Sequence, residues 1–466
     1  MLEEQRNQQS LDLSTSTSTV LRDRIMRHYG TATQKSLWPN RWERIGTRAL
    51  EKDAVFNNLL NHINVETLRE GFQALDGTKA QGIDGVTKEQ YGRNLSENLT
   101  ALAERIHKGS YKPQDKREIL IPKGEGKTRP IAIACFEDKL VDWVISKILT
   151  TIFEPLFIRN SFGFRPNKSA HEAIKAVYLS LKDDKRPYVV EIDFERFFNT
   201  IPHKGIMKAL RERISDRRFE GLIGRFLKGG ILEQSGQTTT PTVGTPQGGI
   251  MSPILANIYL NEAVDQWFVE NYASYSNIVV RYADDAVFLF KKKEMAEAFL
   301  IDLQQRVERF GLSLNLAKTR TVDLGKSENN DLDFLGFTFY WGEKKKFRPR
   351  PLKMKTSKKS LHKSMQAFGQ WIRENRSALK LQELWKLAAA KLAGHYNYFG
   401  LWTNAPKLRH YYSEALKSLF KWLNRRSQKR SYTWEAFLHR LVYFPLPVPP
   451  STAELKCFGR PTYAHA

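Results

Sequence analysis

Residues 278–290 read IVVRYADDAVFLF: an apolar run, two adjacent aspartates, and an apolar run again. The pattern predicts two strands meeting at Ala283-Asp284 in a tight hairpin. Burying one carboxylate without a partner is expensive, and burying two neighbouring ones is worse. The arrangement becomes tolerable where divalent cations sit at the tip. Mg2+ is a hard ion that takes carboxylate oxygens and commonly binds phosphate at the same time. An exposed acidic turn fits the same residues, because Asp is frequent in turns. A second strand-terminal carboxylate tilts the balance. In VVEIDFERFF (189–198), Asp193 closes an apolar strand that spans 187–194. A sheet can bring Asp193 beside Asp284 and Asp285 despite the distance in sequence. Three such carboxylates suit two-metal phosphoryl transfer, in which one ion lowers the pKa of an attacking hydroxyl and the other steadies departing pyrophosphate.

Around this centre the composition sets the class. A chain of 466 residues with 41% hydrophobic content can form two or three packed domains. Its two cysteines, Cys135 and Cys457, supply neither a disulfide framework nor a zinc cluster, and they suit a reducing cytosol. The start, Met-Leu-Glu-Glu-Gln, lacks the basic and apolar regions of a secretion signal, and no run of 18 apolar residues spans a membrane. Residues 1–35, with QQSLDLSTSTSTV, read as a mobile polar tail. The net charge of +24 is concentrated: residues 341–430 hold 23 Lys and Arg against four Asp and Glu. A short basic run is usually a solvated face. Here it coincides with helical periodicity and many aromatics, a combination that suits nucleic acid.

The remaining chain supplies the scaffold. Residues 117–136 predict two strands joined by a Gly/Lys turn, and 138–153 predict a helix. Met295, Phe299, Leu303, Val307 and Phe310 form a helical stripe that Gly311 should end. Strands are expected in 312–324 and 333–341. After Lys353 the period is read as helical throughout, with stripes at Leu361, Met365, Phe368 and Ile372, at Leu381, Leu384, Ala388 and Leu392, and at Leu408, Tyr412, Leu416, Leu419 and Leu423. Three antiparallel helices are the simplest arrangement, the third opening near Asn404-Ala-Pro406. The Pro-rich end, 441–466, carries no assignment.

Several segments together resemble one family. YADD (282–285) resembles the metal-binding box of reverse transcriptases, and TPQGGIMSPILANIYL (245–260) resembles the segment that precedes it there. SFGFRPNKSAHEAI (161–174) is similar to the group II intron branch, and GIDGVT (82–87), IPKGEGKTRPI (121–131), LNLAKT (314–319) and FLGF (334–337) follow the family's order. The resemblance, over about residues 35–440, is to the group II intron reverse transcriptase/maturase family. It implies an α+β right hand: fingers and an antiparallel, split-βαβ palm over 36–345, a helical thumb or maturase domain over 346–428, and an extension over 429–466 read as a DNA-binding segment. It implies two Mg2+ ions, with Mn2+ as a substitute, held by Asp193, Asp284, Asp285 and the backbone carbonyl of Phe194.

By the same resemblance, Lys123 and Arg129 grip the incoming dNTP, Gln247 contacts the nascent base pair, and Phe198 crowds a ribose 2′-hydroxyl. Core packing is the other reading of Phe198. Arg165 falls on the template path, Tyr282 beneath the primer end, and Lys318, Leu335 and Gly336 on the primer side, where a structural role is the competing reading. Arg425, Arg426, Lys429 and Arg430 are assigned to RNA phosphates. The implied partners are group II intron RNA, an RNA template with a DNA or RNA primer, target DNA and dNTPs, within a ribonucleoprotein of the bacterial cytosol. The family's Cys/His endonuclease module is not expected. A splicing-only maturase would not need all three carboxylates. A host-adopted relative in repair or defence would have the same chemistry.

Overall fold

A computed structural model describes residues 40–124, 127–182, 186–273, 276–324, 330–343, 350–426 and 432–455. The N-terminal part is built on helices α1 (Arg41–Ala49), α2 (Val65–Ala74) and α3 (Leu95–Lys108), followed by the antiparallel hairpin β1 (Lys116–Gly124) and β2 (Lys127–Ile133). Helix α4 (Phe136–Phe153) buries Leu140, Val141, Val144, Ile145, Ile148, Leu149 and Ile152, so apolar side chains surround nearly its whole circumference. Such a helix belongs inside a core, and α1 and α2 pack on it.

Helix α5 (Ala170–Lys182) precedes β3 (Tyr188–Ile192). Next come α6 (His203–Arg211), α7 (Arg217–Leu227) and the two-residue strands β4 (Ile231–Leu232) and β5 (Thr238–Thr239), which extend the β1–β2 sheet. Helix α8 (Ser252–Leu260) runs through a π-helical turn at Asn261–Gln266 into α9 (Trp267–Tyr272). The hairpin read from the sequence is present: β6 covers Ile278–Tyr282 and β7 covers Asp285–Phe290, with Tyr282 paired to Asp285 across a two-residue turn. Helix α10 (Lys293–Arg309) buries Phe299, Leu303 and Val307 on the expected stripe.

Strand β8 (Arg320–Asp323) completes a sheet of order β6-β7-β3-β8 in which every neighbouring pair is antiparallel. Strands β7 and β8 therefore run parallel, joined through α10, with β3 inserted between them. This is the split βαβ arrangement. Period-two alternation divides the strands between two cores. Val190 and Ile192 of β3, with Phe288 and Phe290 of β7, join Phe299 of α10 in the first. Val189, Val287 and Leu289 join Ile174 and Val177 of α5 in the second.

The second core continues into strands β9 (Leu332–Phe334), β10 (Phe337–Trp341) and β11 (Leu352–Thr356), and into helices α11 (Lys358–Asn375), α12 (Leu381–Phe399), α13 (Ala405–Leu423) and α14 (Trp434–Tyr443). Strand β11 corrects the reading that helix begins after Lys353. Leu352, Met354 and Thr356 are buried, Lys353 and Lys355 lie on the other face, and the strand pairs with β10 from Phe337↔Thr356 to Trp341↔Leu352. The three helical stripes form as expected, except that Tyr411 rather than Tyr412 is buried on α13.

Candidate active site

The β3–β7 register pairs Ile192 with Ala286. That pair ends the ladder; Asp193 follows Ile192 where β3 leaves the sheet, and Asp285 precedes Ala286 on the same side. Directly opposed antiparallel residues lie about 4.5–5.5 Å apart at Cα. The three carboxylates read from the sequence therefore lie at one end of the central sheet, with Asp284 at the hairpin turn and the charges of Asp193 and Asp284 felt by Asp285.

Segment 313–315 holds the end of β3 in place. Asn315 N donates to Asp193 O at 2.7 Å, and Glu195 N donates to Ser313 O at 2.9 Å. These bonds flank the Phe194–Leu314 bridge and leave the Phe194 carbonyl outside them. Lys318 Nζ lies 2.9 Å from Asp193 Oδ2, so the residue expected on the primer side is ion-paired to a site carboxylate.

Asp285 keeps an exposed surface, yet its carboxyl is pushed up to about 6. Shielding of the carboxyl from water by the surrounding protein contributes most to the rise, the charges of Asp284, Asp193 and Glu191 add to it, and Lys318 opposes it. Because the side chain is open to solvent, water offsets part of the effect of burial, and the like charges of Asp284, Asp193 and Glu191 still disfavour its ionised form. Hard oxygen donors whose mutual repulsion raises a pKa fit a divalent cation. Among the described residues, no three His, Cys, Asp or Glu side chains are already assembled as a metal cluster.

The hairpin tip rests on a buried network that the sequence reading missed. Arg281 and Asp265 are both fully buried, and Nε and Nη2 of the guanidinium grip the two carboxylate oxygens. Arg281 Nη1 donates to Asn257 Oδ1 at 2.8 Å and to the Ala283 carbonyl at 2.9 Å. Asn257 Nδ2 reaches the Gly163 carbonyl at 2.8 Å. Ala283 takes a left-handed φ of 58°, a conformation that costs an L-residue roughly 1–2 kcal/mol. Gly163 lies so close to the tip that a Cβ there would sit 2.1 Å from Ala283 N. The signal was in the opening stretch: an arginine inside an apolar strand must find an acid.

Arg129 Nε donates to Gln247 Oε1 at 2.6 Å, and Gln247 Nε2 donates to Asn199 Oδ1 at 2.7 Å. Arg129 and Gln247, remote in sequence, are thus brought together, and Asn199 joins them unforeseen. Lys123 lies on β1, but its side chain is outside the described residues. Gly248, at φ 108°, makes room for β2, since a Cβ would meet the Ala132 carbonyl at 2.9 Å. The buried carboxylate of Asp142 on α4 accepts from Ile250 N and Met251 N and so fixes the same loop. Phe198 is half-buried and meets Phe164 and Phe197 edge-to-face.

Tyr282 is half-buried beside the acids. The Leu335–Gly336 turn faces α12, where Tyr398 Oη donates to the Leu335 carbonyl at 3.0 Å. The Tyr398 hydroxyl is raised above its ordinary pKa by burial and then by the charges of Tyr282 and Asp285.

Arg165 is corrected. Its guanidinium is buried, paired with Glu154 and bonded to the carbonyls of Ile158 and Ser161, leaving no donor for a template. Arg425 and Arg426 are exposed, while Lys429 and Arg430 lie outside the described residues. Arg425, Arg373, Arg376 and Lys421 all lie within 6.0 Å of the Trp422 ring centroid.

Several known proteins resemble this chain. Residues 121–339 match the family described as reverse transcriptase (RNA-dependent DNA polymerase). Protein YkfC of Escherichia coli is 33% identical over 294 residues, which cover 56% of this chain and 76% of that protein. The group II intron-encoded protein LtrA of Lactococcus lactis is 34% identical over 223 residues, 47% of this chain and 37% of LtrA. A Candida albicans telomerase structure aligns with 76% of this chain and 64% of its own at a TM-score of 0.41 and 13% identity. The chain belongs to the reverse transcriptase family.

Proposed function

We propose that this protein copies RNA into DNA at the Asp193–Asp284–Asp285 end of the central sheet, using Mg2+ (or Mn2+) and dNTPs. The observation that supports the reading is the β3–β7 register, whose last pair, Ile192 with Ala286, adjoins Asp193 and Asp285 beside the hairpin turn. A bound divalent ion would supply Lewis acidity toward phosphate oxygens and a nearby hydroxyl. In the reaction a primer 3′-hydroxyl attacks the α-phosphate of a dNTP, the α–β phosphoanhydride breaks, and pyrophosphate leaves. Arg129, oriented by Gln247, presents a cation to the triphosphate. The exposed edge of Phe198 crowds a 2′-hydroxyl.

The finer anatomy follows the same reading. The β1–β2 hairpin with α1–α4 serves as fingers, the central sheet as palm, and α11–α13 as thumb. The cations gathered on Trp422 have no ion-pair partner among the described residues, and such a cluster suits RNA phosphates with a base stacked on the ring. Structured group II intron RNA is the proposed partner, with splicing assistance and intron mobility into target DNA as the biological setting. A ribonucleoprotein of the bacterial cytosol is the proposed location.

Primer extension on an RNA template with dNTPs and Mg2+, beside Asp284→Asn, tests this. Extension by the wild type and a loss of roughly a thousandfold or more in the variant is expected, since several kcal/mol of transition-state stabilisation would go. Equal extension by both proteins refutes the site.

A further inference from the structure

In the segment SFGFRP (161–166), Phe164 has a φ of 56° and a side chain that is 55% exposed. The left-handed region suits Gly and Asn, and a bulky side chain there is an outlier. The same loop returns to that region at Asn167, φ 53°, with a residue that tolerates it. The exposed phenyl ring adds a second cost, because its apolar surface stays in water. Packing does not offset either cost, since neither hydrophobic core includes Phe164.

A residue keeps such a conformation only where its surroundings impose it, and such residues gather at functional sites. Here both chain neighbours are clamped. Gly163 is pressed on the hairpin tip: Asn257 Nδ2 holds its carbonyl, and a Cβ would collide with Ala283 N. Arg165 has its guanidinium buried against Glu154 and the carbonyls of Ile158 and Ser161. The turn between these clamps delivers the Phe164 ring to Phe198. The two ring centroids lie 6.4 Å apart with planes at 80°, an edge-to-face pair, and Phe164 has no other ring contact among the described residues. Phe198 also meets the buried Phe197 at 5.4 Å and 72°. Phe198 therefore has two ring neighbours, one anchored in the core and one anchored through the backbone of 163–165.

We propose that Phe164 is a positioning residue for sugar selection: fixed in its left-handed turn, it buttresses Phe198 and keeps that ring from yielding to a ribose 2′-hydroxyl. The inference rests on the reading of Phe198 as the residue that crowds this hydroxyl. A ring excludes a hydroxyl only as far as it resists displacement, and a ring free to change rotamer admits the extra oxygen. An edge-to-face partner biases that rotamer equilibrium by roughly twofold to tenfold. The segment that abuts the hairpin tip through Gly163 thus also aims the buttress one residue later.

The test is single-nucleotide extension by the full chain with dCTP and with rCTP, read as the ratio of their kcat/KM values, beside thermal melts. Phe164→Gly removes the ring and suits a φ of 56°. The ratio should fall about threefold to tenfold, through faster rCTP addition, while Tm holds or rises. A ring with a merely structural role would lower Tm on removal and leave the ratio alone. Phe164→Leu keeps an apolar side chain and the strained backbone but loses the ring edge, so it should relax selection as well. Phe164→Tyr keeps the ring and should keep the wild-type ratio. In a Phe198→Ala background, Phe164→Gly should add nothing further. A wild-type ratio in Phe164→Gly, or the same loss with and without Phe198, overturns the proposal. Selection unaltered by Phe198→Ala removes the assignment of that residue and the buttress with it. Absence of extension by the wild type refutes the polymerase reading itself, an outcome distinct from the others, and the proposal falls with it.

Discussion

At Asp285, function and stability pull in opposite directions. A carboxyl whose pKa is raised to about 6 in the folded protein, against an ordinary value near 3.9, contributes most to stability when protonated, below the unfolded value. That contribution is lost as pH rises through about 6. Asp285→Asn should accordingly stabilise the cation-free protein at neutral pH, by about 1 kcal/mol after discounting for solvent screening. It should also abolish extension. Thermal melts with and without Mg2+ check both halves: the ion should raise the wild-type Tm and leave the variant unchanged. At limiting Mg2+, extension by the wild type should fall as pH drops toward 6, because a protonated Asp285 holds the cation less well, and added Mg2+ should move the fall to lower pH. A profile from pH 5 to 8 that is flat at limiting Mg2+ would contradict this.

At the scale of elements, the hairpin β6–β7 is held from below. Breaking the fully buried Arg281–Asp265 pair with Arg281→Met leaves an uncompensated carboxylate and should cost about 3–5 kcal/mol, read as a fall in the denaturant midpoint. Gly163→Ala should displace the tip and reduce extension with a smaller loss of stability. The third helix of the C-terminal bundle is locked to β11 in a comparable way. Asn404 accepts from Thr356 N at 2.7 Å and donates to the Phe399 carbonyl at 2.8 Å. Asn404→Ala strands these groups and should cost about 1–3 kcal/mol. Strand β11 itself was legible in retrospect. Leu-Lys-Met-Lys-Thr alternates with period two, but five residues before a long helical pattern were absorbed into it, and only pairing with β10 distinguishes the two.

At the scale of the whole molecule, charge and chemistry lie apart. The acidic site occupies one end of the central sheet, while the cations on Trp422 belong to the C-terminal helices. RNA affinity should fall steeply with salt, and Lys421→Glu with Arg425→Glu should flatten the slope by about 2 without changing kcat at saturating template. A slope unchanged by these substitutions would remove the RNA assignment from this face.

The sequence by itself determined the class of protein. Period-two and helical periodicities, two strand-terminal acids and an ordered set of motifs are local properties, and local sterics and hydrophobic patterning decide them. It also held the hairpin at Ala283-Asp284 and the stripe of α10. Only the tertiary structure decided which charged groups are buried and whom they meet. Arg165 and Arg281 look alike as residues beside family motifs, yet one closes on Glu154 and the other on Asp265, both inside the protein. Lys318 meets Asp193, and Gln247 meets Arg129 and Asn199, across long stretches of chain. Partner choice for a polar side chain depends on which acceptors the fold carries to it and on how far water is excluded there, and neither quantity exists until the sheet and the helices have packed.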